Sequence, residues 1–323
     1  MSGTTHGNAP MGKCFVSRMT APPPSSAKAG LSWRPALLAR ASAACHLGAG
    51  VTVAAEPTAW PWALGAVALN HAVITANGLW PRSRWLGDNI VRLPDAATAR
   101  REVALTIDDG PDPRVTPAVL DLLDAHHARA TFFCIAGNAR LHPALCREIT
   151  RRGHSVQNHT LRHSHNFSFL GMGGFAREIG RAQLTLADIT GQLPRLFRAP
   201  AGLRNPFLAP VLLRLDLQLV SWTRRGFDTV QRQPMRVLGR LTKGLSAGDI
   251  LLLHDGNAAH APNGQPVVLQ VLPELLKRFQ QNGLRAVTLP EAVLEEYPQA
   301  AWPPPPEGVE SSGKATLTQE YRR

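Results

Sequence analysis

The protein has 323 residues, 44% of them hydrophobic, which suffices for the core of one large domain or two ordinary ones and excludes a disordered or fibrous chain. Its 35 basic and 23 acidic residues leave a formal net charge of +12, which favours anionic partners such as lipid headgroups. Only two tyrosines, no basic segment interleaved with aromatic residues and four cysteines without CxxC spacing argue against nucleic-acid binding, a zinc ribbon and a disulfide scaffold.

The first 87 residues divide into a polar leader, 1–30, and a hydrophobic segment, 31–87. The leader lacks apolar periodicity and is predicted to be disordered. The hydrophobic segment contains two stretches, 36–55 and 60–80, each about 20 residues long, the length that spans a bilayer. We predict a membrane-associated helical hairpin. The second stretch is the stronger candidate for a span because four tryptophans flank it like an interfacial belt. These are Trp60, Trp62, Trp80 and Trp85.

Polar residues inside these stretches favour the alternative, a buried pair of helices, because each is costly in hydrocarbon. They are Arg40, His46, Asn70, His71 and Asn77. If the hairpin inserts, the basic residues Lys28 and Arg34 before it and Arg82 and Arg84 after it place both ends on the cytoplasmic side. The sequence therefore predicts a protein associated with the inner (plasma) membrane, with the domain that follows the hairpin on the cytoplasmic side if both stretches insert. If only the second stretch inserts, that orientation reverses or fails.

Between about residues 100 and 292, short apolar runs alternate with segments of helical apolar spacing. Strands are predicted at 103–107, 130–135, 155–158, 217–222, 250–254 and 285–288. Helices are predicted at 117–127, 141–152, 175–190, 206–215, 234–245 and 267–282. This alternation indicates an α/β fold with a parallel sheet or barrel. The Pro-rich tail, 298–323, is predicted to be disordered.

Two adjacent carboxylates, Asp108 and Asp109, follow the first predicted strand of this domain and precede Gly110-Pro111, which forces a turn. In parallel α/β folds, ligands bind at the carboxyl ends of the strands. Adjacent Asp side chains point in different directions, so one can ligate a metal while the other acts as a base. The alternative is an ordinary turn, since Asp, Gly and Pro dominate turns for local reasons.

His159 and His163 are four residues apart, a spacing that puts two imidazoles on one face of a helical turn. With one Asp they form a set of two His and one carboxylate, which leaves coordination positions open for water and substrate. This donor set predicts a catalytic divalent metal, zinc by preference, although the same ligands accept cobalt or nickel. In a chain with 12 histidines, the spacing alone could also arise by chance.

Taken together, the motifs resemble the polysaccharide deacetylases with a NodB-homology domain, also called carbohydrate esterase family 4. Five segments carry the resemblance in the family's order. They are Thr106-Ile107-Asp108-Asp109-Gly110-Pro111, His159-Thr160-Leu161-Arg162-His163, Phe197-Arg198-Ala199-Pro200-Ala201-Gly202, Trp222 through Asp228, and Leu252-Leu253-His254-Asp255. The resemblance implies a distorted parallel (β/α) barrel of the NodB-homology type over residues 100–292.

By this resemblance, Asp109, His159 and His163 would bind the metal, with Asp108 as general base and His254 as general acid. The physical logic agrees, because a divalent ion activates water and polarises an amide carbonyl near neutral pH. Imidazole titrates near the working pH, so a histidine can protonate the departing sugar amine.

The remaining matches supply supporting roles. Arg198 would hold Asp108 ionised, and Asp228 would do the same for His254. The backbone N–H of Ala201 would stabilise the oxyanion, and Trp222 and Leu252 would contribute to the substrate site. Ala201 stands where the family usually has an aromatic residue, so one wall of the sugar site is altered.

The implied function is a metal-dependent hydrolase that removes N-acetyl groups from amino sugars of a polysaccharide or a lipid-linked glycan. Membrane stretches beside a cytoplasmic site favour the lipid-linked substrate. Two alternatives stay open: a deformylase of a lipid-linked amino sugar, and a non-catalytic glycan- or membrane-binding protein on the same fold. The intact Asp108 and His254 argue against the second. The sequence makes no prediction of the oligomeric state.

Overall fold

The computed structural model describes residues 35–294. The predicted leader, 1–30, and tail, 298–323, lie outside the described residues. Two helices come first, α1 (Leu37–Ala55) and α2 (Trp60–Leu79), joined by a 3₁₀ turn at Pro57–Ala59. Both coincide within one residue at each end with the two predicted hydrophobic stretches, so the helical hairpin forms where the apolar pattern places it.

Polar residues of the two helices pair across the hairpin. Asn70 Nδ2 donates to Ser42 Oγ at 2.9 Å, and the Nε2 atoms of His46 and His71 lie 3.2 Å apart. Such pairing reduces the cost of placing these groups in hydrocarbon.

The first helix of the hairpin has the length and composition of a membrane span. Among residues 35–294, α1 is the one helix long and apolar enough to cross a membrane by length and composition, and 6% of that span is buried. The second stretch, which we predicted to be the stronger span, does not meet this criterion, and which of the two helices inserts stays a prediction. Its two asparagines and one histidine lower its hydropathy, although the tryptophans at its ends suit an interface.

Within residues 80–294, eight parallel strands alternate with nine α-helices. The strands are β1 (Glu102–Asp108), β2 (Thr131–Cys134), β3 (Ser155–Asn158), β4 (Leu196–Phe197), β5 (Gln218–Leu219), β6 (Arg224–Arg225), β7 (Ile250–His254) and β8 (Arg285–Val287). The helices are α3 (Asp95–Ala99), α4 (Thr116–Ala125), α5 (Ala136–Leu141), α6 (Pro143–Arg151), α7 (Met172–Thr190), α8 (Leu208–Arg214), α9 (Pro234–Thr242), α10 (Val267–Gln281) and α11 (Leu289–Val293).

The strands form a single curled sheet. Their order is β5-β4-β3-β2-β1-β7-β6, with β8 also paired to the start of β1. The two edge strands, β5 and β6, are joined by residues 220–223 alone, a connection so short that the edges of the sheet must approach each other. The predicted distorted parallel (β/α) barrel is confirmed.

The sheet separates two hydrophobic clusters. Val103, Leu105 and Ile107 of β1 face outward into a cluster with residues of α4, α6, α9 and α10. Ala104 faces inward, into a cluster that contains Leu252 and Trp222. Because successive side chains of a strand alternate between faces, Asp108 at the end of β1 belongs to the inward series. The core therefore aims this carboxylate into the mouth of the barrel.

Short elements differ most from the sequence-based expectations. Strands β4 and β6 have two residues each, too few for a hydrophobic period, and they pair only because the sheet curls. The predicted helix 141–152 corresponds to α6, which begins only at Pro143, because Leu141 ends the separate helix α5 and the chain breaks at His142, where φ is −128°. A proline at the first position of α6 favours this new start.

The segment that follows α2 fastens the hairpin to the barrel. The carbonyl of Gly78 accepts a hydrogen bond from Arg204 N at 3.1 Å, and the carbonyl of Pro81 accepts one from Ser221 Oγ at 2.6 Å. A Cβ placed on Gly202 would lie 2.5 Å from the Pro81 side chain. The end of the hairpin is thus packed against the loop that follows β4.

Candidate active site

Strand register brings the predicted catalytic residues to one edge of the sheet. Asp108, the last residue of β1, is in register with Phe133 of β2 on one side and with His254, the last residue of β7, on the other. On the next strands, Asn158 of β3 is paired with Phe197 of β4, so His159 and Arg198 emerge side by side. All of these residues lie at the carboxyl ends of their strands, the edge of the sheet where parallel barrels bind their ligands.

Arg198 is fully buried and is directed at the first aspartate. Its Nη1 donates to Asp108 Oδ1 and to Thr106 Oγ1, both at 2.7 Å, while Nη2 donates to the carbonyl of Ser221 at 2.9 Å. The guanidinium lies 4.1 Å from the centre of the Phe133 ring. Asp108 is 3% exposed, so the two side chains form a buried ion pair. Oδ2, the other carboxylate oxygen, stays available on the side of the site.

Asp109, His159 and His163 form a compact cluster of potential metal ligands, whose donor atoms all lie within 4.8 Å of one another. Oδ1 of Asp109 is 3.2 Å from His159 Nε2 and 3.3 Å from His163 Nε2. Nδ1 of His159 is 2.8 Å from the carbonyl of Arg198. A carbonyl only accepts, so Nδ1 carries the hydrogen and Nε2 presents a lone pair.

This arrangement fits a cation. Within the described part of the chain, buried Oδ1 of Asp109 has no hydrogen-bond partner, although two imidazole nitrogens converge on it. A carboxylate oxygen and an imidazole lone pair that face each other repel unless a proton or a metal ion lies between them. Two His and one carboxylate leave room for further ligands, as catalytic metal sites do. The three residues are therefore suited to hold a divalent ion.

Titration of the cluster follows the same electrostatics. Burial alone would raise the pKa of Asp109, but the contact and charge of His159, with further contributions from His254 and His163, outweigh burial and hold that pKa well below its usual range. Burial opposes the charged form of His159, yet Asp108 and Asp109 raise its pKa. Burial and the adjacent His159 lower the pKa of His163. Asp109 is therefore ionised at neutral pH, as a metal ligand must be.

His254 and Asp228 form a second buried pair. Asp228 Oδ1 lies 2.9 Å from His254 Nδ1, and Oδ2 accepts from the backbone N of His254 at 2.7 Å. Burial would lower the pKa of His254, but the Asp228 carboxylate raises it to about 9. Nδ1 is occupied by this contact, so Nε2 is the nitrogen left to exchange a proton with a ligand.

The loop after β4 contributes a backbone donor beside a shallow groove. Ala201 adopts φ 52°, a left-handed conformation that is uncommon outside glycine. The hydrogen bonds that close this turn are donated by Gly202 and Leu203, so they do not use the N–H of Ala201. The groove is about 140 Å³ in volume, and its lining includes His163, Pro200 and Ala201.

Trp222 and Leu252, the other predicted substrate residues, lie beneath the site. They are 7% and 1% exposed and belong to the inner cluster of the barrel. Neither of them is among the residues that line the groove. Their predicted part in substrate binding stays a prediction.

Several supporting residues were missed from the sequence. Asn257 Nδ2 donates to Asp109 Oδ2 at 3.2 Å, and Asn138 Nδ2 donates to the Asp109 carbonyl at 2.9 Å. Asn158 Oδ1 accepts from Thr160 N at 2.9 Å and so shapes the turn that carries both histidines. Asn257 and Asn158 stand at or just after strand ends, a signal that could have identified them, whereas Asn138 is close only through the fold.

Asp255 supports the turn after the two aspartates. Its carboxylate accepts from Thr116 Oγ1 and from Gly256 N, and a Cβ on Gly110 would lie 2.3 Å from its oxygens. Burial raises the pKa of Asp255 to about 7. Position 110 therefore requires glycine, and the turn that aims Asp109 is packed on the residue that follows His254.

Comparisons with known proteins converge on one family. The profile of the polysaccharide deacetylases matches residues 95–220. A peptidoglycan-N-acetylglucosamine deacetylase from Bacillus cereus is 31% identical over 199 residues, which are 58% of this chain and 86% of that protein. A chitooligosaccharide deacetylase from Azorhizobium caulinodans is 35% identical over 195 residues, 58% of this chain and 92% of that protein. The fold is also similar to that of a family 4 carbohydrate esterase from Streptomyces lividans, solved in complex with acetate, with a TM-score of 0.52 and 30% sequence identity. The superposition covers 57% of this chain and 91% of that one.

Proposed function

The chain belongs to the polysaccharide deacetylase family and is a hydrolase of that family, and we propose that it removes N-acetyl groups from amino sugars by a metal-dependent mechanism. The observation that carries the proposal is the grouping at one sheet edge of Asp109, His159 and His163 with a carboxylate, Asp108, and an imidazole, His254. Base, acid and ligands are then within reach of one acetamido group.

Asp109, His159 and His163 would hold the divalent ion, which we propose to be zinc, with cobalt or nickel as substitutes. When bound, such an ion supplies Lewis acidity that activates water and polarises the carbonyl of the acetamido group. Asn257 orients Asp109 through its Oδ2, and Arg198 fixes the His159 ring through its carbonyl oxygen. These outer contacts keep the ligand atoms convergent.

Asp108 is placed to act as the general base. Arg198 occupies Oδ1, so Oδ2 is the oxygen left to accept the proton of the attacking water. Oδ2 lies 3.8 Å from His159 Nε2, which puts the base directly beside the ligand cluster. The N–H of Ala201 would donate to the oxygen of the acetamido carbonyl as negative charge develops there.

His254 is placed to act as the general acid. Asp228 holds Nδ1, which leaves Nε2 to donate a proton to the nitrogen of the departing sugar amine. The amine is a poor leaving group until it is protonated, so this step completes cleavage of the C–N bond. The raised pKa of His254, about 9, keeps the imidazole protonated at neutral pH.

The exposure and position of the hairpin favour a substrate that is held at a membrane. Helix α1 is almost wholly exposed, and the segment after α2 packs against Gly202, next to the proposed oxyanion donor. Trp80 and Trp85 at this end of the hairpin are 56% and 59% exposed, as interfacial tryptophans are. We therefore propose an inner-membrane protein in which both helices of the hairpin insert together, so that the site lies near the cytoplasmic surface and acts on a lipid-linked glycan. Reporter fusions at both termini test this orientation, and an external signal from either would contradict it.

The test of the enzyme mechanism combines metal content with product release. Full-length protein is purified in detergent, its metal is measured by elemental analysis, and acetate and formate release are followed with chito-oligosaccharides and with an acetylated lipid-linked amino sugar. Asp108→Asn should keep the metal and lose about 10²–10⁴-fold in rate. His163→Ala should lose the metal, whereas His260→Ala, which alters an exposed histidine, should keep it.

Two results would change the assignment. Release of formate without acetate would identify a deformylase. Metal binding with no release from any of these acylated sugars would overturn the proposed reaction.

A further inference from the structure

Arg225 lies on the inner face of the barrel, in the layer of Leu252 and Trp222 beneath the proposed active site. It is in register with Leu252 of β7, a member of the inner cluster, and residues paired in a parallel sheet point to the same face. Its guanidinium carbon is 5.3 Å from the centre of the Trp222 ring and 4.9 Å from that of Phe227. Two aromatic rings therefore fix the direction of this cation.

No acidic group neutralises Arg225 among residues 35–294. Its side chain has no hydrogen bond or ion pair with any described residue, and its buried Nε has no partner. The neighbouring Arg224 differs: it pairs with the buried Asp249 and donates to the carbonyls of Lys243 and Gly244. A half-buried guanidinium with only aromatic neighbours is costly unless an anion reaches it.

Arg225 lies close to the residues that hold the proposed base and the proposed acid. The Trp222 ring has Arg225 at 5.3 Å and Arg198, which binds Asp108, at 5.8 Å. Phe227, the second ring against Arg225, immediately precedes Asp228, which holds His254. The free cation is thus adjacent to the supports of both the proposed base and the proposed acid, and Phe227 is 45% exposed at the rim of the barrel.

We propose that Arg225 binds an oxyanion, a phosphate or a carboxylate, carried by the substrate close to the acetamido group. This inference rests on the proposed function and narrows its substrate to an anionic glycan. A planar guanidinium matches the oxygen pairs of phosphate and carboxylate with two parallel hydrogen bonds. Asp108 is already paired with Arg198, so the positive charge of Arg225 remains for the ligand.

Two sources can supply such an oxyanion: a phosphate that links the sugar to a lipid, and a carboxylate of an acidic sugar. Their shared chemistry is a pair of anionic oxygens near the N-acetyl group. Comparing N-acetylglucosamine 1-phosphate, N-acetylmuramic acid and neutral N-acetylglucosamine distinguishes them.

The test measures binding, so that it does not depend on turnover. Affinities of the three sugars for the full-length protein in detergent are measured by calorimetry, in wild type and in the Arg225→Gln, Arg225→Lys and Arg236→Gln variants. Wild type should bind one anionic sugar at least 10-fold more tightly than the neutral one. Arg225→Gln should lose that preference, Arg225→Lys should keep part of it, and Arg236→Gln, which removes an exposed charge on α9, should retain it.

Equal affinities of wild type for all three sugars would overturn the proposal, as would a preference that survives in Arg225→Gln. If Arg225→Gln fails to fold, the Arg225→Lys variant and the wild-type comparison still decide the outcome. Failure of the proposed function is separate, because it would appear as absent acetate release while the binding preference persists.

Discussion

Replacing Arg198 tests the buried charge pair that supports the proposed base. The guanidinium is 0% exposed and the carboxylate of Asp108 3%. In Arg198→Gln, the contacts to Asp108, Thr106 and the carbonyl of Ser221 are lost or weakened, and Asp108 is left as an unpaired buried charge. Removing one member of a buried pair costs about 3–5 kcal/mol, so we expect a loss of that size in the free energy of unfolding.

A double-mutant cycle isolates the pair from the surrounding contacts. Asp108→Asn alone leaves the Arg198 charge buried without its partner, so it should also destabilise the protein. Combining it with Arg198→Gln removes both charges, and the two losses should fall short of additivity by about 1–3 kcal/mol. Unfolding in guanidinium chloride, followed by tryptophan fluorescence in the presence of a chelator, measures all four proteins without a contribution from bound metal.

Two outcomes would refute this reasoning. A loss below about 1 kcal/mol in Arg198→Gln would mean that the pair is more hydrated than its burial indicates. Additive losses would mean that the hydrogen bonds to Thr106 and to the backbone, rather than the Asp108 charge, account for the effect. Arg198→Lys serves as the control for charge, because it keeps the cation but loses the forked geometry.

Two further predictions concern pH. The Asp228 carboxylate raises the pKa of His254 to about 9, so the proposed acid loses its proton as pH rises through that value. Asp228→Asn should therefore shift the alkaline limb of the kcat/KM profile to lower pH. An unshifted limb would argue against His254 as the acid. Burial lowers the pKa of His154 to about 4, against about 6.5 in the unfolded chain, so stability is lost as pH falls from about 6.5 to 4. Between pH 7 and pH 5, wild type should lose about 2 kcal/mol more free energy of unfolding than His154→Gln does. An equal loss in the two proteins would contradict this.

Several strands were predictable from the sequence alone. The strand 250–254 was predicted with its observed bounds, because its apolar run reflects burial on both faces of a parallel sheet. The strand 155–158, which has one apolar residue, was also predicted with its observed bounds, from its place between two helical segments. Strand β6 was not predictable, because Arg224 and Arg225 have no strand-like pattern and form a strand only by pairing with Leu251 and Leu252.

The hairpin shows a similar division between local pattern and packing. Its helices followed from length and apolar content, but the pairing of Asn70 with Ser42 and of His46 with His71 depends on how the two helices meet. The contact between Pro81 and Gly202, which joins the hairpin to the loop of the proposed oxyanion donor, links residues more than 100 positions apart. No local period reports such a contact.

By itself, the sequence determined which residues are candidates for chemistry, because five ordered motifs at strand ends restrict their types and their order. The tertiary structure decided the geometry: the register of β1 with β7 sets Asp108 beside His254, and the turn after β3 directs both histidines onto Asp109. It also decided which charges are neutralised, since Arg198 and Arg225 look alike in sequence but only Arg198 meets a carboxylate. Electrostatic pairing depends on distances between residues far apart in the chain, and only the packed barrel sets those distances.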